Sequence, residues 1–284
     1  MKKSYDRYGR RKFLLNKIKG LAYPYLLWSV IQASVELLFA GHSYRDGSVT
    51  NLFFIPVLPW AQFWFLYALF LMYVAFSCVQ SVQSVRWNQM LLIVISVALS
   101  LFFYPIQSDY FALIGFSTGF IFFVSGVAGR TCIHHLLLFK RPGWAAAGFF
   151  LAFLVSAWYI FNLCIEPVRL PGGEHPFPFL FLALLGIGTC IMLAIFLAKN
   201  SWLIVIRKIG RYSLQIYLVH MLVGVGVRIF LQTVFHITNP WLHMVMGVLA
   251  ALTIPMLMSI YSRRLRIPYL FGWDNNLVRT KESL

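Results

Sequence analysis

The sequence predicts an all-α, multi-pass membrane helix bundle of about eight spanning helices, with both termini in the cytoplasm. Three observations carry that expectation. Of 284 residues, 60% are apolar and 11% are Asp, Glu, Lys or Arg, with a mean hydropathy of +0.77; a soluble domain carries nearer ~25% charged residues. The apolar residues gather into eight runs, near 21–39, 60–79, 90–105, 110–128, 144–163, 177–198, 212–234 and 241–261. About 20 such residues cross a hydrocarbon core of ~30 Å. Finally, the cations alternate from loop to loop across those runs.

That alternation also fixes direction. The chain has 24 Lys and Arg against 8 Asp and Glu, a net charge of +16. Twenty-one of the 24 cations fall in 1–20, 80–89, 129–143, 199–211 and the tail after 261, while Arg45 and Arg169 fall in the opposite loops and Arg228 lies inside a run. Cytoplasmic loops collect Lys and Arg, so both ends face inward. A basic excess also suits nucleic acid, but so apolar a chain cannot cover a water-soluble body. The expected partner is the lipid bilayer, not nucleic acid. No loop is long enough to be a domain, so 1–284 reads as one membrane domain: a basic segment over 1–20, a bundle over 21–261 and a basic tail over 262–284. The third run is short and Pro105 closes it.

Cys78, Cys132, Cys164 and Cys190 are scattered, with no Cys-x-x-Cys and no His at ligand spacing. Buried free thiols are expected, with neither a disulfide framework nor a metal site. The first twenty residues are polar and basic without an apolar core, so no cleavable signal peptide is expected.

An ionisable group inside a bilayer costs about 3 kcal/mol on insertion scales, which makes each one a candidate for function. Three inside the runs are taken as candidates: Glu36, His220 and Arg228. At ~100° per residue, His220, Gly224 and Arg228 share one broad face of the seventh helix, expected to look into the bundle, with Arg228 ~12 Å beyond His220. Glu36 and Arg228 both lie toward the outer ends of their helices. A structural pair and a substrate-facing role are both open to them. Arg228 is also able to snorkel outward. Trp60 to Tyr67 form an aromatic run of the kind that anchors helices at the interface, within which Gln62 and Trp64 are placed to line a site open outward. The pair His134-His135 falls in a basic loop and reads as solvated surface. Eight cations crowd the first twenty residues, a positive-inside determinant that also suits a phosphate-bearing donor.

Five phrases follow in order: Asn16-Lys-Ile-Lys-Gly-Leu-Ala-Tyr-Pro-Tyr-Leu-Leu-Trp-Ser29, Phe63-Trp-Phe-Leu-Tyr-Ala-Leu-Phe70, Phe122-Phe-Val-Ser-Gly126, Ile209-Gly-Arg-Tyr-Ser-Leu-Gln-Ile-Tyr-Leu-Val-His220 and Gly226-Val-Arg-Ile-Phe-Leu231. Together they resemble the acyltransferase 3 family of membrane proteins, and look closest to its branch similar to fucose 4-O-acetylases. The resemblance implies a bacterial inner-membrane protein of multi-pass topology. It implies transfer of an acyl group, usually acetyl from cytosolic acetyl-CoA, to a sugar hydroxyl of an envelope polysaccharide or glycolipid. No bound cofactor is implied; acetyl-CoA is the donor.

In that family a conserved His, to which catalysis is ascribed, lies on a first helix ahead of the basic loop, and a second helix follows it. This chain begins at the basic loop, so the resemblance leads to the expectation that the two helices are missing and that the chain is inactive alone. His220 is the candidate left inside a run, as a base or, by the resemblance, a positioning residue. Arg228, Glu36, Gln62 and Trp64 are then candidates for the acceptor, and Lys17, Lys19, Arg10 and Arg11 for coenzyme A phosphates. Of the family's basic R-x-x-R-like element, Lys17-Ile-Lys-Gly20 keeps the distance to Pro24, and Arg7-Tyr-Gly-Arg10 lies further upstream. Two other readings stay open: a transporter or flippase for an envelope intermediate, and a non-catalytic scaffold.

Overall fold

The computed structural model describes residues 2–38, 53–56, 59–80, 91–92, 94–98, 111–129, 135–138, 140–163, 176–199, 204–265 and 268–272. Among these residues the regular structure is helical, with no strand. The longer helices are α1 (Lys2–Lys17), α2 (Tyr23–Leu38), α3 (Trp64–Gln80), α4 (Phe111–Ala128), α5 (Pro142–Leu163), α6 (Pro176–Lys199), α7 (Ile204–Arg211), α8 (Ser213–Thr233) and α9 (Pro240–Arg264). Six stretches are long and apolar enough to cross a membrane: Gly9–Leu38, Ala61–Val79, Pro142–Asn162, Leu180–Lys199, Ser213–Thr233 and Pro240–Ser262, with a shorter apolar helix over Gly115–Ala128. Of the expected runs, the third is helical where described, at 91–92 and 94–98. The remainder of that run, Arg45, Arg169, Cys132, Cys164 and His134 lie outside the described residues.

Two stretches read as loops from the sequence are helical. The basic segment over 1–20 forms α1, broken at Gly9, whose backbone (φ 71°, ψ 166°) favours glycine. A π-helical turn, Ile18–Ala22, then carries it without a gap into α2. The reason is local: Phe13 is 2% exposed and meets the Tyr73 ring edge-on at 6.1 Å, so the end of α1 has an apolar anchor of its own. The second is α7, whose eight residues put Arg207, Lys208 and Arg211 within ~100° of one another round the helix, with Ile206 and Ile209 on the rest.

The chain divides into two compact units. In one, residues 75–205, α5 and α6 form an antiparallel hairpin held by glycine-aromatic contacts. A Cβ on Gly143 would stand 3.0 Å from the Phe196 ring, and one on Gly188 would stand 2.9 Å from the Phe149 ring. Lipid chains are as apolar as the helices, so close packing of this kind, not the hydrophobic effect, holds such a pair together. Ala146, Met192 and Ile195 are buried at one end of the hairpin, with Leu136 packed against them. Phe76 of α3 meets Phe123 of α4 at 6.1 Å.

The other unit joins 3–74 to 206–284. Its core is Tyr25, Trp28, Ala33, Ile55, Trp60, Phe63, Leu66, Leu218 and Val219. The aromatic tips in this core find carbonyls. Tyr25 donates to Ile55 O, and Trp28 Nε1 donates to Leu270 O at 2.8 Å while its ring stacks on Phe271. Helices α8 and α9 pack together, and Pro255 inside α9 is buried.

The outward faces are apolar. Trp144, Leu151, Trp158 and Phe161 are exposed on α5, as are Trp241, Val248 and Leu249 on α9, as expected of surfaces in contact with lipid. Cys78 and Cys190 are free and exposed rather than buried. At these two positions an apolar neighbourhood in the sequence did not mean a protein interior.

Candidate functional site

Gln32 and Glu36 stand one turn apart on α2, so their side chains share a face. Glu36 Oε1 accepts from Gln32 Nε2 at 2.9 Å. Its other oxygen accepts from the Trp60 indole N–H at 3.1 Å. Gln32 also pairs with Gln62: Gln62 Nε2 donates to Gln32 Oε1 at 2.7 Å, and Gln32 Nε2 donates to Gln62 Oε1 at 3.3 Å. Gln32 is 4% exposed, and both amide protons and its oxygen are used. A buried amide of this kind is affordable only when so completely paired.

Trp60 and Gln62 reach the network from either side of Ala61, which opens a 3-10 turn, Ala61–Phe63, at the head of α3. Ala61 has φ 43°, the left-handed region where a Cβ is unfavourable. That backbone is what lets two residues so close in sequence both turn toward α2. On the far side of the turn, the Tyr217 hydroxyl donates to Gln62 O, tying α8 to the same segment. The Tyr217 ring also meets Phe63 and Phe65 edge-on at 6.3 and 6.0 Å.

His220 lies one turn beyond Tyr217, half-buried, with ring centroids 6.2 Å apart. Its Nδ1 is 2.8 Å from Tyr217 O and 3.1 Å from Ile216 O. Carbonyls only accept, so Nδ1 carries a proton, and in the neutral imidazole the lone pair is on Nε2. The imidazole is therefore held in the tautomer that presents a hydrogen-bond acceptor away from its own backbone.

The expected face of α8 is covered only in part. Arg228 is exposed, and a Cβ on Gly224 would meet open space. Leu218 and Val219 are buried ~160° and ~100° round the helix from His220, and Leu231 is buried ~20° from it. His220 and Gly224 are half-buried on that same face, and Arg228 lies at its exposed edge. No Glu36–Arg228 ion pair forms among the described residues; the carboxylate is held by neutral donors, Gln32 and Trp60. A carboxylate so held retains lone pairs for further donors.

Of the remaining candidates, Gln62 belongs to the network, whereas Trp64 is 38% exposed on α3 and only its ring edge meets Phe65. Lys17 places its ammonium 3.8 Å from the Tyr73 ring centroid and 5.6 Å from that of Phe13. Lys19 is half-buried, and Arg10 and Arg11 are exposed on α1. Sequence reasoning missed Gln32 and Tyr217, and took Trp60 for an interfacial anchor. A glutamine four residues before the lone glutamate of an apolar run was the available signal. Among the described residues no three His, Cys, Asp or Glu side chains stand close enough to hold a metal ion.

Helices of this length, closing over a polar cluster within one unit, define a multi-pass membrane protein. A family model described as an acyltransferase domain matches residues 3–260. The chain belongs to the acyltransferase 3 family. Comparison with curated proteins and with solved structures returns no match.

Proposed function

We propose that the protein is an O-acyltransferase of the bacterial inner membrane, which moves an acyl group, acetyl in the simplest case, from acyl-CoA to a sugar hydroxyl of an envelope polysaccharide or glycolipid. The observation that carries this reading is the imidazole of His220, fixed through Nδ1 with Nε2 open, in a chain of an acyltransferase family. In the reaction the hydroxyl oxygen bonds to the thioester carbonyl carbon and the C–S bond breaks. The hydroxyl proton leaves through a base and ends on the coenzyme A sulfur. His220 Nε2 accepts a hydrogen bond from the hydroxyl and aims its oxygen, a positioning role that does not require His220 to keep the proton.

Glu36 and Gln62 suit the rest of a sugar. Carboxylates and amides read hydroxyl groups through directed hydrogen bonds, and the buried Trp60 indole holds the Glu36 carboxylate in place beside Gln62. Arg228 serves an anionic or hydroxyl-rich part of the acceptor ~12 Å along the helix. Arg10, Arg11, Lys19 and Lys17 are the candidates for coenzyme A phosphates, and the Lys17 ammonium also lies over the Tyr73 ring.

The test is acceptor kinetics in membranes containing the protein. Glu36→Gln should raise the acceptor KM by about tenfold while leaving the acetyl-CoA KM in place. An equal change in both constants would remove Glu36 from the acceptor site.

A further inference from the structure

The basic loop before α5, which the sequence marks only as solvated surface, is shaped. Residues 135–137 make a helical turn closed by Leu138 N–H donating to His135 O at 3.1 Å. Leu136 pins this turn to the α5–α6 hairpin. The chain returns at Lys140 and Arg141 and enters α5 at Pro142, which is buried at the first helical position and gives up no needed donor there. Between turn and helix lies a cavity of about 540 Å³ lined by His135, Leu138, Lys140 and Arg141.

Two features of this cavity select an anion. Lys140 and Arg141 supply fixed positive charge, with His135 beside them and no acidic side chain among the described residues of the lining. The cavity also opens against the N-terminus of a 22-residue helix, where unpaired N–H groups favour negative charge. A third feature selects what carries the anion. Leu138 in the lining is 77% exposed, and its neighbour Leu137 and, a few positions on from Arg141 in the chain, Trp144 are 46% and 78% exposed, an apolar rim near the cations. A nucleotide phosphate has no use for that rim, whereas the phosphodiester of a lipid headgroup brings acyl chains that cover it.

We propose that His135, Lys140 and Arg141 form a binding site for an anionic phospholipid, its phosphodiester in the cavity and its acyl chains along Leu138 and Trp144. The site shares no residue with the Glu36 and His220 cluster, and its occupancy does not depend on the acyl-transfer reading. Phosphatidylglycerol and phosphatidylcholine, titrated separately into the detergent-solubilised protein and followed by native mass spectrometry, provide the test. The wild-type chain should retain one phosphatidylglycerol about tenfold more tightly than phosphatidylcholine. Lys140→Gln with Arg141→Gln should abolish that preference, with an unchanged elution profile and helical content, since both side chains are exposed. Arg207→Gln with Lys208→Gln, on the exposed basic α7, should leave it intact. Equal retention of the two lipids would overturn the proposal. So would a preference that survives in the Lys140 and Arg141 variant or falls equally in the α7 variant. Displacement of the retained lipid by coenzyme A would overturn it too, by showing that the cavity takes a nucleotide.

Discussion

Glu36 accepts the indole N–H of Trp60 at 3.1 Å across twenty-four residues of chain, and this bond, rather than an ion pair with Arg228, is how the carboxylate is accommodated. The difference matters energetically. A buried carboxylate facing an arginine leaves a stranded charge when either partner is removed, whereas one held by amide and indole donors loses a single hydrogen bond at a time.

Trp60→Phe should therefore destabilise the protein by about 2 kcal/mol, the worth of one hydrogen bond to a charged group. Glu36→Gln with Arg228→Gln should show a coupling below ~0.5 kcal/mol, as for sites that share no contact. Thermal unfolding in detergent measures both. A Glu36–Arg228 coupling above ~1.5 kcal/mol would mean that the two side chains touch.

Ala61→Gly should stabilise the fold by about 1 kcal/mol, because φ 43° costs alanine what it does not cost glycine. If the variant is less stable than wild type, the left-handed turn between Trp60 and Gln62 is not what aims their side chains.

Lys17 should contribute through its rings. Lys17→Met and Tyr73→Leu should each cost stability, with a coupling of about 1 kcal/mol between them in a double-mutant cycle. Independent effects would leave Lys17 only as a candidate for a phosphate-bearing donor.

The architecture was legible because bilayer physics writes it in long windows. Apolar runs of ~20 residues need no partner to be recognised, and α5, α6, α8 and α9 all lie within a few residues of the predicted bounds. What stayed hidden depended on pairs. The burial of Phe13 that makes 1–20 helical required knowing that Tyr73 would stand beside it. The candidate site was half legible: Glu36, Gln62 and His220 announced themselves as polar groups in apolar surroundings. Gln32 did not, because an uncharged amide raises no alarm until its partners are known. The face of α8 was legible only in part, for a related reason. Periodicity groups His220, Gly224 and Arg228, but it does not say whether the grouped face is the one that packs.

Orientation rests on charge alone and calls for a direct check. Reporter fusions after residues 5, 136 and 270 should report the cytoplasm, and those after 45 and 170 the opposite side. A non-cytoplasmic signal at 136 would invert the direction of α5 and α6 and with it the leaflet that faces the His135 cavity.

Acyl transfer itself is the most direct test. Membranes from cells expressing the protein should move radiolabel from acetyl-CoA into the glycan fraction as an alkali-labile ester, and His220→Ala should lower the rate at least ~100-fold, the scale of one well-placed hydrogen-bonding group in the transition state. Labelling at the wild-type rate by His220→Ala would contradict the account, and so would no ester from membranes in which the folded wild-type protein is present, the inactive outcome that the resemblance led one to expect.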